Sequence, residues 1–113
     1  MRRAMSALSA LLATAPLTLA APAPASAATG TLVVEGDEVP RTRLVNPAPG
    51  CYALPWFPLF TRATVINSTD ADVILYSGEG CKAGLLRAAT SVRAGTTRER
   101  TLSGTHSILV QST

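Results

Sequence analysis

Short β-branched runs, each stopped by a cluster of turn-forming residues, recur along this chain from residue 31 to its end. The clearest are Thr31-Leu32-Val33-Val34, Arg41-Thr42-Arg43-Leu44-Val45, Ala63-Thr64-Val65-Ile66, Val73-Ile74-Leu75-Tyr76 and Ser107-Ile108-Leu109-Val110. Gly, Pro, Asn, Ser and Asp separate them, which is strand-and-turn chemistry rather than helix chemistry. Weaker strand candidates are 51–54, 84–88 and 96–102. In 96–102, Thr97, Glu99 and Thr101 alternate with Arg98, Arg100 and Leu102, a pattern that suits an exposed edge strand. Only the stretch from Leu85 to Thr90 resembles a helical turn. Eight short strands at this spacing predict an all-β sandwich.

The first 27 residues read differently. Arg2 and Arg3 precede an apolar run through Ala20, and an Ala-Pro-rich stretch ends in Ala25-Ser26-Ala27. A charged start, an apolar middle and an A-x-A end are the pattern of a cleaved secretory signal peptide, with cleavage after Ala27 or Ala28. The run is too short and too broken by proline for a membrane span, and the arginine pair is too little to choose between export routes. The expected domain is 28–113, a single secreted unit with no membrane span. In it eight arginine and lysine side chains oppose seven carboxylates, so its net charge is +1, against +3 for the whole chain. That balance argues against a nucleic-acid partner.

A domain of this size buries a modest core and benefits from a covalent staple. The only two cysteines, Cys51 and Cys81, both follow the leader. In an oxidising compartment an even pair predicts one disulfide. Neither has a histidine nearby in sequence, which weakens a metal or nucleophile reading.

The segments "RATVINST" (62–69) and "HSILVQST" (106–113) share a polar start, a β-branched middle and a Ser-Thr end. Each follows a small-residue corner, "NPAPG" (46–50) or "SVRAG" (91–95), so the chain divides near residue 68 into halves of four strands each. The stretch "VILYSGEGCKAGLLRAATS" followed by "HSILVQ" resembles the βγ-crystallin Greek-key motif. In that family a folded hairpin is marked Y-x-x-x-x-[FYW]-x-G, and a serine near the start of the fourth strand packs beneath it. Tyr76 matches the tyrosine and Ser107 the serine. Cys81 occupies the second aromatic position, five residues after Tyr76, and the glycine falls one place late, at Gly84, with Ala83 where the family has Gly. The likeness covers residues 71–113. It implies two four-stranded Greek-key motifs, each lending its third strand to the other's sheet. It also implies that Cys51 and Cys81 are neighbours in one sheet.

The family usually binds calcium through a [ND]-[ND]-x-x-[ST]-S segment. The matching window here, Leu86-Arg87-Ala88-Ala89-Thr90-Ser91, has Leu and Arg where the oxygen ligands belong, so no calcium and no other cofactor is expected. Asp70 and Asp72 flank Ala71 as turn residues do. His106, the only histidine, sits beside Ser107 at a strand start, where adjacent side chains point to opposite faces and form no nucleophile–base pair. We therefore read His106 as a strand-edge residue and the protein as no enzyme. Asn67-Ser68-Thr69 fits an N-glycosylation acceptor, although the Ala-, Arg- and Thr-rich style of the chain is bacterial, where such triplets are usually silent.

"CYALPWFPLF" (51–60) holds four of the five aromatic side chains: Tyr52, Trp56, Phe57 and Phe60. One reading makes them core, with Tyr52 and Phe60 between the sheets and Trp56 and Phe57 closing one end; the sequence favours it narrowly. The other makes Leu54, Pro55, Trp56, Phe57, Pro58, Leu59 and Phe60 a surface binding loop. Pro55 and Pro58 donate no backbone hydrogen bond and stiffen the segment, so it cannot hold a regular ladder. We expect a monomeric, non-enzymatic domain that acts by binding; a core position for the whole stretch would remove it as the site, and a structural secreted protein with no specific ligand is a further alternative. The resemblance adds a proteinase inhibitor presenting this loop to a secreted protease. The aromatics allow instead a toxin-like, cell-surface or carbohydrate-binding module.

Overall fold

A computed structural model describes residues 26–83 and 88–113. Eight strands run through them: β1 (Gly30–Gly36), β2 (Val39–Val45), β3 (Gly50–Ala53), β4 (Phe57–Thr69), β5 (Val73–Ser77), β6 (Ala89–Val92), β7 (Thr97–Gly104) and β8 (His106–Val110). No helix occurs among the described residues. The strands pair antiparallel in two four-stranded sheets, ordered β2-β1-β4-β7 and β3-β8-β5-β6. Each sheet thus holds three strands from one half of the chain and the third strand of the other half. Adding four to each strand number of the first order, and counting past eight from one again, gives the second order reversed.

The strands form where alternation allows one face to leave water. Leu32 and Val34 of β1, Ala63 and Val65 of β4, Val73 and Leu75 of β5, and Ile108 and Val110 of β8 are all buried, with Val92 and Leu102 joining them in one core shared by both sheets. Burial of such side chains is the main force holding the sheets together, about 1.5–3 kcal/mol for each large one. As its alternation implied, β7 is an edge strand, and its residues 97–101 are exposed.

Two expectations move. Residues 84–87 lie outside the described part, and the strand expected at 84–88 is instead β6, at Ala89–Val92; Ala89 and Thr90 are therefore extended and not helical. The two halves correspond in strand order, but the written repeat is one residue out of phase. It would place exposed Arg62 on buried His106, and buried Val65 on half-buried Leu109. A one-residue slip exchanges the two faces of a strand, so similar letters do not mark equivalent positions here.

Polar contacts fix the corners. Asp70 accepts the Thr29 N–H and Asp72 the Ala94 N–H, each at 2.8 Å, the turn role their spacing implied. Asn67 is 1% exposed. Its amide donates to the carbonyls of Ala71 (2.8 Å) and Val92 (3.1 Å), while its oxygen accepts from the Thr69 hydroxyl at 2.6 Å. A buried amide satisfied on both ends is a structural tie between β4 and β6. Asn67 is thereby closed to glycosylation.

Cys51 and Cys81 form a disulfide with Cα atoms 5.9 Å apart. They are not neighbours within a sheet. Cys51 is on β3, paired with Leu109, and Cys81 is in the β5–β6 connection with φ at 53°. Leu109 and Ser107 share the outer face of β8, so the connection folds over that face and the disulfide clamps it to β3. Ser107 is fully buried beneath it, accepting the Cys81 N–H at 2.9 Å and donating to the Gly78 carbonyl at 2.8 Å. Gly84, the expected left-handed position, lies outside the described residues. Within them Gly78, Gly80 and Cys81 take positive φ.

Candidate functional site

The aromatic segment is neither all core nor all loop. After β3 ends at Ala53, the Leu54 N–H donates to the His106 carbonyl at 3.1 Å and the Leu54 side chain is buried. Pro55 carries the chain across the end of the core. Trp56 then projects, 65% exposed, and Phe57 returns inward, 1% exposed. The Phe57 ring lies against Gly36, where even a methyl group would come within 3.2 Å of it. Its other neighbour is the His106 imidazole, met edge to face with centroids 5.5 Å apart. Two buried anchors, Leu54 and Phe57, therefore hold Trp56 out on a short stiff span.

Beyond Phe57 the ladder breaks and resumes. Phe57 pairs with Gly104 and Thr61 with Leu102, so Pro58, Leu59 and Phe60 oppose Ser103 alone. Extra residues on one strand must bulge outward. Phe60 takes φ of 57°, a left-handed conformation that disfavours a side chain by about 1–2 kcal/mol. Its N–H is held by the Ser103 hydroxyl at 2.8 Å, and the Thr61 hydroxyl donates to the Pro58 carbonyl at 2.6 Å. Leu59 and Phe60 end 74% and 80% exposed.

The core reading of this stretch is thus corrected at two of its four aromatics. Phe60 does not fill the space between the sheets, and Trp56 does not close its end. Phe57 is core, and Tyr52 packs against the core while its hydroxyl donates to the Ala48 carbonyl at 2.7 Å. The loop reading is corrected too: Leu54 and Phe57 are anchors, and β4 begins at Phe57 despite Pro58. Pro58 lies in the bulge, where no ladder partner is required of it. Nothing in the sequence marked Ser103 or the left-handed Phe60. The one available signal was three apolar residues, Leu59, Phe60 and Trp56, too close together to share a single buried face.

His106 also moves. It starts β8, an inner strand of its sheet, and is buried at 6% exposure. Burial holds its imidazole below the usual histidine range, opposed by the weak contact of Nδ1 with the Gly104 carbonyl at 3.4 Å. A carbonyl only accepts, so this contact favours the tautomer protonated at Nδ1, in which Nε2 is an acceptor. His106 faces inward and Ser107 outward, so the two do not form a catalytic pair.

Among the described residues one ion pair forms, Arg41 with Glu35 at 3.3 Å on the surface, and no group of histidine, cysteine or carboxylate side chains is arranged to hold a metal ion. No helix there is long and apolar enough to cross a membrane. No protein-family model matches the chain, and no curated protein or solved structure is significantly similar to it.

Proposed function

We propose that this protein is a small secreted, non-enzymatic binding domain of βγ-crystallin-like double Greek-key architecture, engaging its target through Trp56, Leu59 and Phe60. The observation that carries the binding reading is Phe60: an aromatic side chain 80% exposed, in a left-handed conformation, on a bulge tied down by Ser103. Backbone strain and exposed apolar area both oppose folding, and their coincidence at one point is a mark of selection for contact. A pre-shaped bulge also loses little entropy on binding.

The crystallin-like architecture is supported by the exchange of third strands between the sheets and by Ser107 beneath the folded hairpin. Export is supported by the disulfide, which belongs to oxidising compartments. Cleavage after Ala27 fits better than after Ala28, because Ala28 is buried and its N–H donates to the Pro47 carbonyl at 2.9 Å.

Of the narrower readings, proteinase inhibition draws on the span Leu54-Pro55-Trp56-Phe57, where one exposed side chain is held between two buried ones, as a cleft-filling side chain must be. A panel of secreted proteases tests it: inhibition that is lost in Trp56→Ala, with the thermal midpoint unchanged, supports it. Binding on a glycan array that disappears with Trp56→Ala supports the carbohydrate reading instead. If Trp56→Ala and Phe60→Ala leave every binding activity of the protein intact, the bulge is not the binding surface.

A further inference from the structure

The sheets part between the edge strands β6 and β7 and leave a cleft of about 240 Å³. Leu75 and Leu102, both buried, make its apolar floor. Thr90 and His106 line it as well, and both are more than nine-tenths buried. Neither Thr90 Oγ1 nor His106 Nε2 has a hydrogen-bond partner among the described residues, although buried polar groups are paired as a rule. Such groups beside an apolar floor are what a small-molecule site offers its ligand.

The mouth has a sign. Arg100 lies on β7 opposite Ala63, in phase with the inward-facing Leu102, and its exposed side chain lines the cleft. Among the described residues no carboxylate lies within salt-bridge distance of it, and none lines the cleft. Glu99, its neighbour on β7, pairs with Thr64 and is in phase with the opposite face, where it lines a separate surface depression together with Arg62, Thr101 and Arg100 itself.

We propose that this cleft binds a small organic carboxylate with an apolar body and a hydrogen-bond donor at its far end. Its carboxylate meets Arg100, its body lies on Leu75 and Leu102, and its donor reaches His106 Nε2. The site is separate from the Trp56–Phe60 bulge, so binding here does not depend on the function assigned to the bulge.

His106 is the only histidine, so its ring protons report on the cleft without assignment. The full secreted chain is titrated with 4-hydroxybenzoate while the His106 ring is followed by NMR. A saturable shift is expected, with affinity at least tenfold weaker in Arg100→Gln and severalfold weaker for benzoate, which lacks the donor. Arg100 is exposed, so Arg100→Gln should fold normally, checked by an unchanged thermal midpoint. Absence of a saturable shift overturns the proposal. So does equal affinity in wild type and Arg100→Gln, or equal affinity for 4-hydroxybenzyl alcohol, which keeps the shape but lacks the charge.

Discussion

Phe57 and His106 meet edge to face at an interplanar angle of 88°, joining the start of β4 in one sheet to the start of β8 in the other. Their contact closes the end of the core from which the bulge projects. Phe57→Ala should therefore destabilise the protein by about 3–5 kcal/mol, the range for emptying a buried aromatic site. Urea denaturation measures this directly; a loss under 1 kcal/mol would show that Phe57 is not the anchor.

Phe60 makes the opposite prediction. At φ of 57° glycine relieves the strain on a side chain that contributes little packing. Phe60→Gly should raise stability by up to about 1 kcal/mol while weakening target binding. Destabilisation by 2 kcal/mol or more would mean that Phe60 is packed in solution.

The burial of His106 gives stability a pH dependence of known sign. Its folded-state affinity for protons is lowered from the unfolded value of 6.5, so below that pH the unfolded chain binds more protons. The stabilising contribution of neutral His106 is complete above about pH 6.5 and is lost as pH falls through that value toward the folded pKa. Thermal midpoints from pH 7.5 to 5 should fall in wild type and fall less in His106→Gln. Identical slopes would remove His106 from the account.

The disulfide closes a sequence separation of 30 residues. Chain entropy sets its contribution at about 3.5 kcal/mol. Cys51→Ser with Cys81→Ser should lose about that much, and hydrogen exchange should rise first at the backbone amide of position 81, which Ser107 protects. If exchange rises uniformly instead, the disulfide does not act through the folded connection.

Strand content was legible because alternation and turn residues act locally: β1, β5 and β8 lie almost where their β-branched runs fall. The pairing of Cys51 with Cys81 was legible because the chain has only these two cysteines. Register was not, since Val65 and Leu109 occupy matching letters on opposite faces, and only the packing of both sheets decides which face is inner. The division of 54–60 was hidden for a related reason. Leu54 and Phe57 turn inward because His106 and Gly36, distant in sequence, leave room for them. Phe60 turns outward because Ser103, 43 residues away, captures its N–H.

Trp56, ahead of the bulge, presents its side chain to solvent together with Leu59 and Phe60 of the bulge, and it is the only tryptophan in the chain. Acrylamide quenching of its fluorescence in the native protein tests this most directly. Emission close to that of a small tryptophan derivative in water, with quenching at a large fraction of the free rate, is the expected result. A blue-shifted emission that acrylamide does not quench would place Trp56 in the core and contradict the binding surface.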